Sequence, residues 1–183
     1  MLMRRLLMKA KDKVLYEELE YLTFDGTKIY DTGQYANEKT SVDIKFKRTD
    51  TSSSAYLYGV SVSPRFTAHM AQSGYWRYGE SAYPTFNTKK TDEIVASVTP
   101  TRIKVGSYSR SFTATAFTTK YTVPIGGHTP SSGVPTPQFV GNIYYFQMSI
   151  DGVLVADWIP VRRLSDGVEC FWDKVTNNFV EAL

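Results

Sequence analysis

Apolar and polar residues alternate with a period of two along most of the chain, and this pattern restricts the fold more than any other feature. Val42, Ile44 and Phe46 alternate with charged residues, as expected for a strand with one buried face. Short segments of this kind recur between turn signals, and helical periodicity is nearly absent after residue 20. We therefore predict an all-β fold, a two-sheet antiparallel sandwich of the jelly-roll type.

Several further segments have the β-branched and aromatic composition of strands. We predict strands at residues 21–24, 28–33, 55–60, 94–98, 102–105, 111–117, 143–150 and 153–159. Two dipeptides, Asp25-Gly26 and Asp151-Gly152, predict tight hairpin turns. Residues 124–138 are rich in Pro, Gly and Ser, so they predict a loop and argue against a central strand.

The length and composition fit a single domain. The chain has 183 residues, of which 42% are hydrophobic and 14% aromatic, enough to form one substantial core. Its single cysteine, Cys170, excludes an internal disulfide, and we interpret it as a buried, unreactive thiol. We predict a sandwich domain over residues 21–183, preceded by a leader over residues 1–20 in which Glu17 and Glu18 are solvated.

The leader is basic and amphipathic. Five basic residues and one aspartate give residues 1–13 a net charge of +4, whereas the whole chain carries +3. Apolar residues recur at spacings of three and four, which predicts a short helix over residues 2–15, or an extended segment where no partner orders it. Such a leader would dock on a partner protein, lie on a membrane surface or remain disordered. The residues predicted to dock are Arg4, Arg5, Leu6, Leu7 and Lys9.

The charge and hydropathy of the remaining chain argue against two classes of partner. Outside residues 1–13 the net charge is about −1, so we expect no nucleic-acid partner. No apolar run reaches the ~18–20 residues of a membrane span, and the first residues lack the apolar stretch of an export signal. We therefore expect no membrane span and no export by a signal peptide.

One segment concentrates side chains of the kind that recognise ligands. Residues 74–79 place three aromatic rings and an arginine between two glycines, and a further tyrosine follows. Aromatic faces stack on sugar rings and anchor protein interfaces, and arginine binds hydroxyl or charged groups. Three interpretations stay open: a core strand, a protein interface and a glycan contact. The candidate contact residues are Tyr75, Trp76, Arg77, Tyr78 and Tyr83.

The sequence lacks the patterns expected of an enzyme or a metal site. Glycoside hydrolysis needs paired carboxylates, and no strand shows acidic residues at alternating positions. His69 and His128 are far apart and have no cysteine neighbours, which argues against zinc and against a serine–histidine pair. Asp25, Asp31 and Asp151 are available to ligate calcium, but a turn role explains each of them. We predict a protein that is not an enzyme and has no metal or other cofactor, with calcium as the open alternative.

Two segments carry a resemblance to a known family. The first is YLTFDGTKIYDTG at residues 21–33, and the second runs from GNIYYF at 141–146 through DGVLVADWIPVRR at 151–163 to FWDKV at 171–175. They resemble the opening and closing strands of laminin-G-like domains of the concanavalin A-like lectin-glucanase superfamily, common in gut bacteria and their bacteriophages. The resemblance implies a concanavalin-like jelly roll whose first and last strands pair. It implies no single function, because function depends on sites carried by the fold.

The closing segment also contains a predicted corner. We interpret Asp157 and either Arg162 or Arg163 as an ion pair across a bend at Pro160, where a proline would end the strand ladder. This corner is interpreted as closing the fold and not as a site.

These observations favour a non-catalytic structural module of a bacteriophage particle, such as a capsid-decoration, head-fibre or tail-associated protein. Its expected partners are other virion proteins or further copies of itself, bound through the leader, and a cell-surface glycan is a further candidate. We expect it to be made in the cytoplasm of a bacterial host and to reside in the virion. The alternative is a carbohydrate-binding adhesin domain on the surface of a gut bacterium.

Overall fold

The computed structural model describes residues 16–50, 54–70, 75–84 and 92–183, which form strands, turns and loops without a helix. The all-β prediction is therefore confirmed for these residues. None of them belongs to a helix long and apolar enough to cross a membrane. The predicted helix of the leader lies outside the described residues, as do its docking residues Arg4, Arg5, Leu6, Leu7 and Lys9.

The strands are short and follow one another through turns along the whole described chain. They are β1 (Tyr16–Glu18), β2 (Leu22–Asp25), β3 (Tyr30–Asn37), β4 (Thr40–Arg48), β5 (Ala55–Val60), β6 (Arg65–Met70), β7 (Tyr75–Gly79), β8 (Ser81–Pro84), β9 (Ile94–Thr99), β10 (Arg102–Val105), β11 (Tyr108–Ser111), β12 (Thr118–Ile125), β13 (Gly127–His128), β14 (Thr136–Pro137), β15 (Val140–Ile150), β16 (Val153–Arg163), β17 (Glu169–Asp173) and β18 (Asn178–Val180).

Two antiparallel sheets pack face to face as a jelly-roll sandwich, which confirms the predicted fold class. The larger sheet has ten strands in the order β11-β10-β9-β4-β15-β16-β17-β18, with β1 paired to β16 and β2 paired to β15. The smaller sheet has six strands in the order β3-β12-β5-β6-β7-β8, and a two-stranded ribbon of β13 and β14 accompanies it. The core lies between the two sheets. In β4 every second residue is buried in this way, as the alternation of apolar and polar residues in the sequence predicts.

The strands β15 and β16 form a fork that the first strands of the described chain fill. The hairpin of β15 and β16 is paired only as far as Phe146 and Trp158, beyond which the two strands separate. There β2 pairs with β15 and β1 pairs with β16, and residues 19–21 connect them. The Leu19 amide donates a hydrogen bond to the Pro160 carbonyl at 3.0 Å. The two segments that carry the resemblance are therefore neighbours, although the last strand, β18, pairs with β17 and not with the first.

The closing corner is held by ion pairs other than the predicted one. Asp157 accepts a hydrogen bond from Gln147 at 3.0 Å, so its predicted pairing with Arg162 or Arg163 is wrong. Glu17 belongs to β1 and takes part in the corner, so the folded domain includes residues 16–20 and these are not part of a separate leader. The ion pairs of the corner are Arg162–Glu17 at 3.2 Å, Arg162–Glu169 at 2.7 Å, Arg163–Asp166 at 2.6 Å and Arg163–Glu181.

Pro160 does not end the ladder, contrary to the prediction, but lies inside β16 opposite Phe171. Its carbonyl faces the fork, where it accepts the hydrogen bond from Leu19. In an antiparallel ladder the N–H and the carbonyl of one residue face the same neighbour. The missing N–H of the proline therefore faces the fork as well, where β16 has already left β15 and no ladder bond to β15 is lost.

The two Asp-Gly dipeptides form different turns. Asp151 and Gly152 have φ values of +52° and +77° and connect β15 to β16, as predicted for a tight hairpin. The hairpin predicted at Asp25-Gly26 is wrong, because β2 belongs to the larger sheet and β3 to the smaller one. There Asp25 accepts hydrogen bonds from the amide and the hydroxyl of Thr27, at 2.9 and 2.6 Å, in a turn that carries the chain between the sheets.

Two further predictions are wrong in part. The strand predicted at residues 111–117 ends at Ser111, and the following segment covers the core as a loop that buries part of Phe112 and Phe117. Residues 124–138 are not a loop throughout, as predicted: Pro124 and Ile125 belong to β12, which lies between β3 and β5 in the smaller sheet, and the ribbon strands β13 and β14 also fall in this range. The register of β12 against β3 shifts next to Pro124, as expected where a proline interrupts a ladder.

Candidate functional site

The predicted contact segment forms β7 and alternates between the core and the outer face of the smaller sheet. Trp76 and Tyr78 are only 1% and 2% exposed and pack in the core, and Tyr83 on β8 is 8% exposed. As ligand contacts these three predictions are wrong, because successive strand residues face opposite sides and theirs is the buried side. Tyr75 and Arg77 lie on the outer face and are partly exposed.

Five side chains on this outer face form a continuous stack across β13, β5, β6 and β7, which we call the aromatic ladder: His128, Tyr56, His69, Tyr75 and Arg77. The ring centre of Tyr56 is 4.1 Å from that of His128 and 4.6 Å from that of His69. The rings of His69 and Tyr75 are stacked with their centres 4.5 Å apart, and the Arg77 guanidinium carbon lies 4.8 Å from the centre of the Tyr75 ring. Strand register creates the stack, since Tyr56 lies opposite His69, and His69 lies opposite Tyr75.

The ladder combines ring faces with polar atoms that have no partner within the described residues. This is the case for the buried Nδ1 atoms of His69 and His128, and for the buried Oγ1 of Thr67 in the row next to the ladder. The Nε2 atom of His69 lies 2.8 Å from the hydroxyl of Ser54. Buried polar groups are nearly always hydrogen-bonded, so atoms of this kind commonly mark a position for water or for a ligand group.

Burial favours the neutral form of the ladder's histidines. It lowers the pKa of His69, and the neighbouring imidazole and the positive charges of Arg48 and Arg77 lower this pKa further. Burial also lowers the pKa of His128. Burial and a hydrogen bond within the ladder raise the pKa of the Tyr56 hydroxyl to about 12. At neutral pH the ladder therefore presents neutral imidazoles and the neutral phenol of Tyr56, with arginine charges beside them.

We expect the stability of the protein to fall as the pH is lowered from about 7.5 to about 5.5, a range in which ordinary carboxylates stay ionised. The folded state holds the pKa values of His69 and His128 below the ordinary 6.5, so the unfolded chain takes up protons first. The histidine contribution is therefore complete above the ordinary pKa and is lost as the pH falls below it. Urea unfolding at several pH values measures the decline, and His69→Gln should make it shallower. An equally steep decline in that variant would contradict the assignment.

The larger sheet brings together two carboxylates that are far apart in the sequence. On its outer face Asp43 of β4 lies opposite Gln147 of β15, which in turn lies opposite Asp157 of β16. Since neighbouring strands are ~4.8 Å apart, the backbones of the two aspartates are separated by ~10 Å. A backbone separation of this size allows the two carboxyl groups to reach the ~6.5–9.5 Å spacing of inverting glycosidases. Because the two aspartates lie on different strands, a search for acidic residues at alternating positions of one strand does not find them. This carboxylate row, formed by Asp43, Gln147 and Asp157, therefore requires its own test.

The remaining candidate residues have structural roles. Asp25 accepts hydrogen bonds within its own turn, Asp31 of β3 accepts them from the Gly33 amide and the Thr122 hydroxyl, and Asp151 pairs with Lys39 at 3.1 Å. Among the residues that the structure describes, no group of three or more His, Cys, Asp or Glu side chains is arranged to hold a metal ion. Cys170 is buried as predicted, and burial raises the pKa of its thiol to about 11, which disfavours the reactive thiolate.

Three of the five ladder residues, His128, His69 and Tyr56, are not among the predicted site residues. They come from separate parts of the chain, and only sheet register brings them together. The sequence contains one signal for His69. His69 and Tyr75 are each three residues from Gln72, which lies in a polar connection that predicts a hairpin, and a hairpin centred there would pair the two residues. Compared with known proteins, the chain matches no protein-family model and no curated protein sequence.

Proposed function

We propose that the protein is a non-catalytic recognition module that binds a glycan on the aromatic ladder of its smaller sheet. The observation that carries this proposal is the stack itself, a row of four rings on paired strands that ends in an arginine, with Tyr56, His69 and Tyr75 partly exposed and His128 buried. Its buried imidazole nitrogens, which lack partners among the described residues, add to this support.

The ladder offers the two kinds of surface that sugars require. The rings of Tyr56 and Tyr75 provide apolar area for the C–H face of a sugar. The guanidinium of Arg77 and the hydroxyls of Tyr56 and Tyr75 provide hydrogen-bonding groups for sugar hydroxyls. Ligand sites commonly combine apolar walls with a few placed polar groups in this way. Because the groups sit on paired strands, little conformational entropy is lost when a ligand binds.

Glycan binding is expected to depend on Tyr75. Replacement by Ala should weaken binding to glycans retained on an array by about tenfold or more, since aromatic anchors carry much of the energy of an interface. The matched control is Tyr35→Ala, which removes a tyrosine that is 53% exposed on β3 of the same sheet and should leave binding unchanged. Trp76→Ala and Tyr78→Ala would not test the site, because both rings belong to the core. Failure of the wild type to bind any glycan, or full binding by Tyr75→Ala, would overturn the proposal.

A second candidate function, docking into a bacteriophage particle, is supported by the way β1 is held. β1 follows the amphipathic leader directly, and the Tyr16 ring stacks on Trp172 with the ring centres 5.2 Å apart. Glu17 of the same strand pairs with Arg162. A docking arm can attach the domain to a partner only if the strand that follows the arm is firmly held in the fold. We propose virion proteins as the partners of the leader, with the ladder facing a glycan of the host surface.

Deletion of residues 1–15 and deletion of residues 1–20 are expected to have different effects. The shorter deletion should leave the urea midpoint unchanged and abolish co-sedimentation with phage particles. The longer one also removes β1 and the stacking of Tyr16 on Trp172, and should lower the free energy of unfolding by about 2 kcal/mol. Normal incorporation of the shorter protein would contradict docking through the leader. Unchanged stability of the longer deletion would contradict the role of β1.

The absence of catalysis is tested separately on the carboxylate row of the larger sheet. Incubation of the protein with the glycans that it binds should release no new reducing ends. Hydrolysis that disappears in Asp43→Asn or Asp157→Asn would show that the protein is an enzyme and that the row is its active site.

A further inference from the structure

The aromatic ladder lies in a positively charged part of the smaller sheet. The Arg77 guanidinium rests over the Tyr75 ring, and no carboxylate of the described residues forms an ion pair with it. Arg65 projects from β6, and its Nε donates to the Ser61 carbonyl at 2.8 Å, so its charge is held in place without being neutralised. Both cations are therefore fixed near the ladder by contacts that leave their charge uncompensated within the described chain.

The charge of both arginines reaches the ladder. Arg77 and Arg65 lower the pKa of the Tyr56 hydroxyl, against the larger rise caused by burial. The causes that lower the pKa of His69 and His128 include no carboxylate of the described residues. Arg48 adds to the positive charge at His69 but has Asp50 as a neighbour, so the excess charge rests on the other two arginines.

Two of the segments that flank the ladder strands contain no acidic residue, and Glu80, which follows β7, accepts a hydrogen bond from the Ser63 hydroxyl. Residues 51–53, before β5, are Thr-Ser-Ser, and residues 71–74, between β6 and β7, are Ala-Gln-Ser-Gly. A fixed excess of one charge around partly buried rings attracts a ligand of the opposite charge and strengthens its hydrogen bonds.

We propose that the glycan bound at the aromatic ladder carries an acidic group, a carboxylate or a sulfate, which pairs with the Arg77 guanidinium. This inference rests on the proposed glycan-binding function and narrows it to acidic sugars. The planar guanidinium offers two parallel N–H donors, the geometry that carboxylates and sulfates accept. Its position 4.8 Å from the centre of the Tyr75 ring places it within reach of an acidic group on a sugar that stacks on the neighbouring rings.

The test compares acidic glycans with matched neutral forms on one array. Sialylated, uronate-containing and sulfated glycans are printed beside their desialylated, esterified and desulfated counterparts. We expect the acidic member of a bound pair to bind about tenfold more tightly, and this advantage to disappear in Arg77→Gln. Binding should also weaken as NaCl is raised from about 0.05 M to about 0.5 M. The pairs that respond distinguish a carboxylate from a sulfate.

Two variants separate loss of charge from loss of fold. Arg110→Gln removes an exposed arginine that lies 5.5 Å over the Tyr83 ring, away from the ladder, and should leave the acidic preference intact. Arg77→Lys keeps the charge without the paired donors and should retain part of the preference. Equal binding of acidic and neutral partners, with Tyr75→Ala still impaired, would overturn this inference and leave the proposed function standing. Absence of all glycan binding would overturn both.

Discussion

Replacement of Phe171 by Ala is expected to lower the free energy of unfolding by about 3–5 kcal/mol, because the change opens a cavity at the centre of the aromatic core. Phe171 is fully buried on β17. Its ring centre lies 5.0 Å from Tyr30 of the smaller sheet and 5.4 Å from Trp158 of the larger sheet, so it joins the two layers. Urea unfolding followed by tryptophan fluorescence measures the loss.

Two control variants test whether the lost ring is the cause. Phe171→Leu keeps most of the volume and should cost about 1.5 kcal/mol or less. Val175→Ala, at a side chain that is 40% exposed in the neighbouring turn, should have little effect. A loss below about 1 kcal/mol in Phe171→Ala would mean that the core closes around the missing ring, contrary to the dense packing that the buried contacts imply.

Gly59→Ala is expected to prevent stable folding, with a loss of more than about 4 kcal/mol. Gly59 has a φ of +122°, and a Cβ atom there would lie 1.9 Å from the carbonyl oxygen of Phe66 and 2.7 Å from the Cα of Thr67. These are backbone atoms of the paired strand β6, so relief requires that β5 and β6 separate. Circular dichroism and the soluble yield of the variant measure the effect.

Gly106→Ala is the matched control. Gly106 also has a positive φ, +57°, but no atom of the described residues lies within 4 Å of the position of an added Cβ. The variant bears only the left-handed strain of a residue with a side chain and should lose about 1–2 kcal/mol. Similar losses at both positions would show that backbone conformation, and not the close approach of β5 and β6, limits Gly59.

The strands of this fold follow largely from local sequence, whereas their partners do not. β4 and β5 match the predicted alternation and composition because each strand is shaped by its own two faces. The pair Asp25-Gly26 has the same local chemistry as Asp151-Gly152, yet only the second closes a hairpin. What separates them is the destination of the following strand, and the contacts that decide this lie far away in the chain.

Irregular strand geometry limits prediction in a second way. A register shift between Ile143 and Tyr145 places Tyr144 beside Glu93 on the outer face of the larger sheet, with its hydroxyl 3.0 Å from that carboxylate. Strict alternation would put Tyr144 on the same side as Phe146, which is buried. A bulge inserts one residue and reverses the faces, and no local residue preference marks it here.

The candidate site was only partly predictable for the same reason. The segment around Tyr75 and Arg77 is recognisable from its composition, but composition cannot tell which half of an alternating segment faces outward. Tyr56 and His69 join the site through the pairing of β5 with β6, and His128 joins it from the ribbon. A site assembled from register leaves no spacing motif in the sequence.

The fork between β15 and β16 has a consequence for the order of events during synthesis of the chain. Glu17 finds its partner Arg162 only 145 positions later, so β1 and β2 leave the ribosome long before the strands that receive them exist. Contacts of such sequence separation form slowly, and apolar strand faces stay uncovered while they wait. The sandwich therefore closes late, when the C-terminal hairpin emerges and meets strands made at the start of translation. A nascent chain stalled before β15 would contain all six strands of the smaller sheet, but its larger sheet would lack β15 to β18, so much of the apolar face of the smaller sheet would stay uncovered.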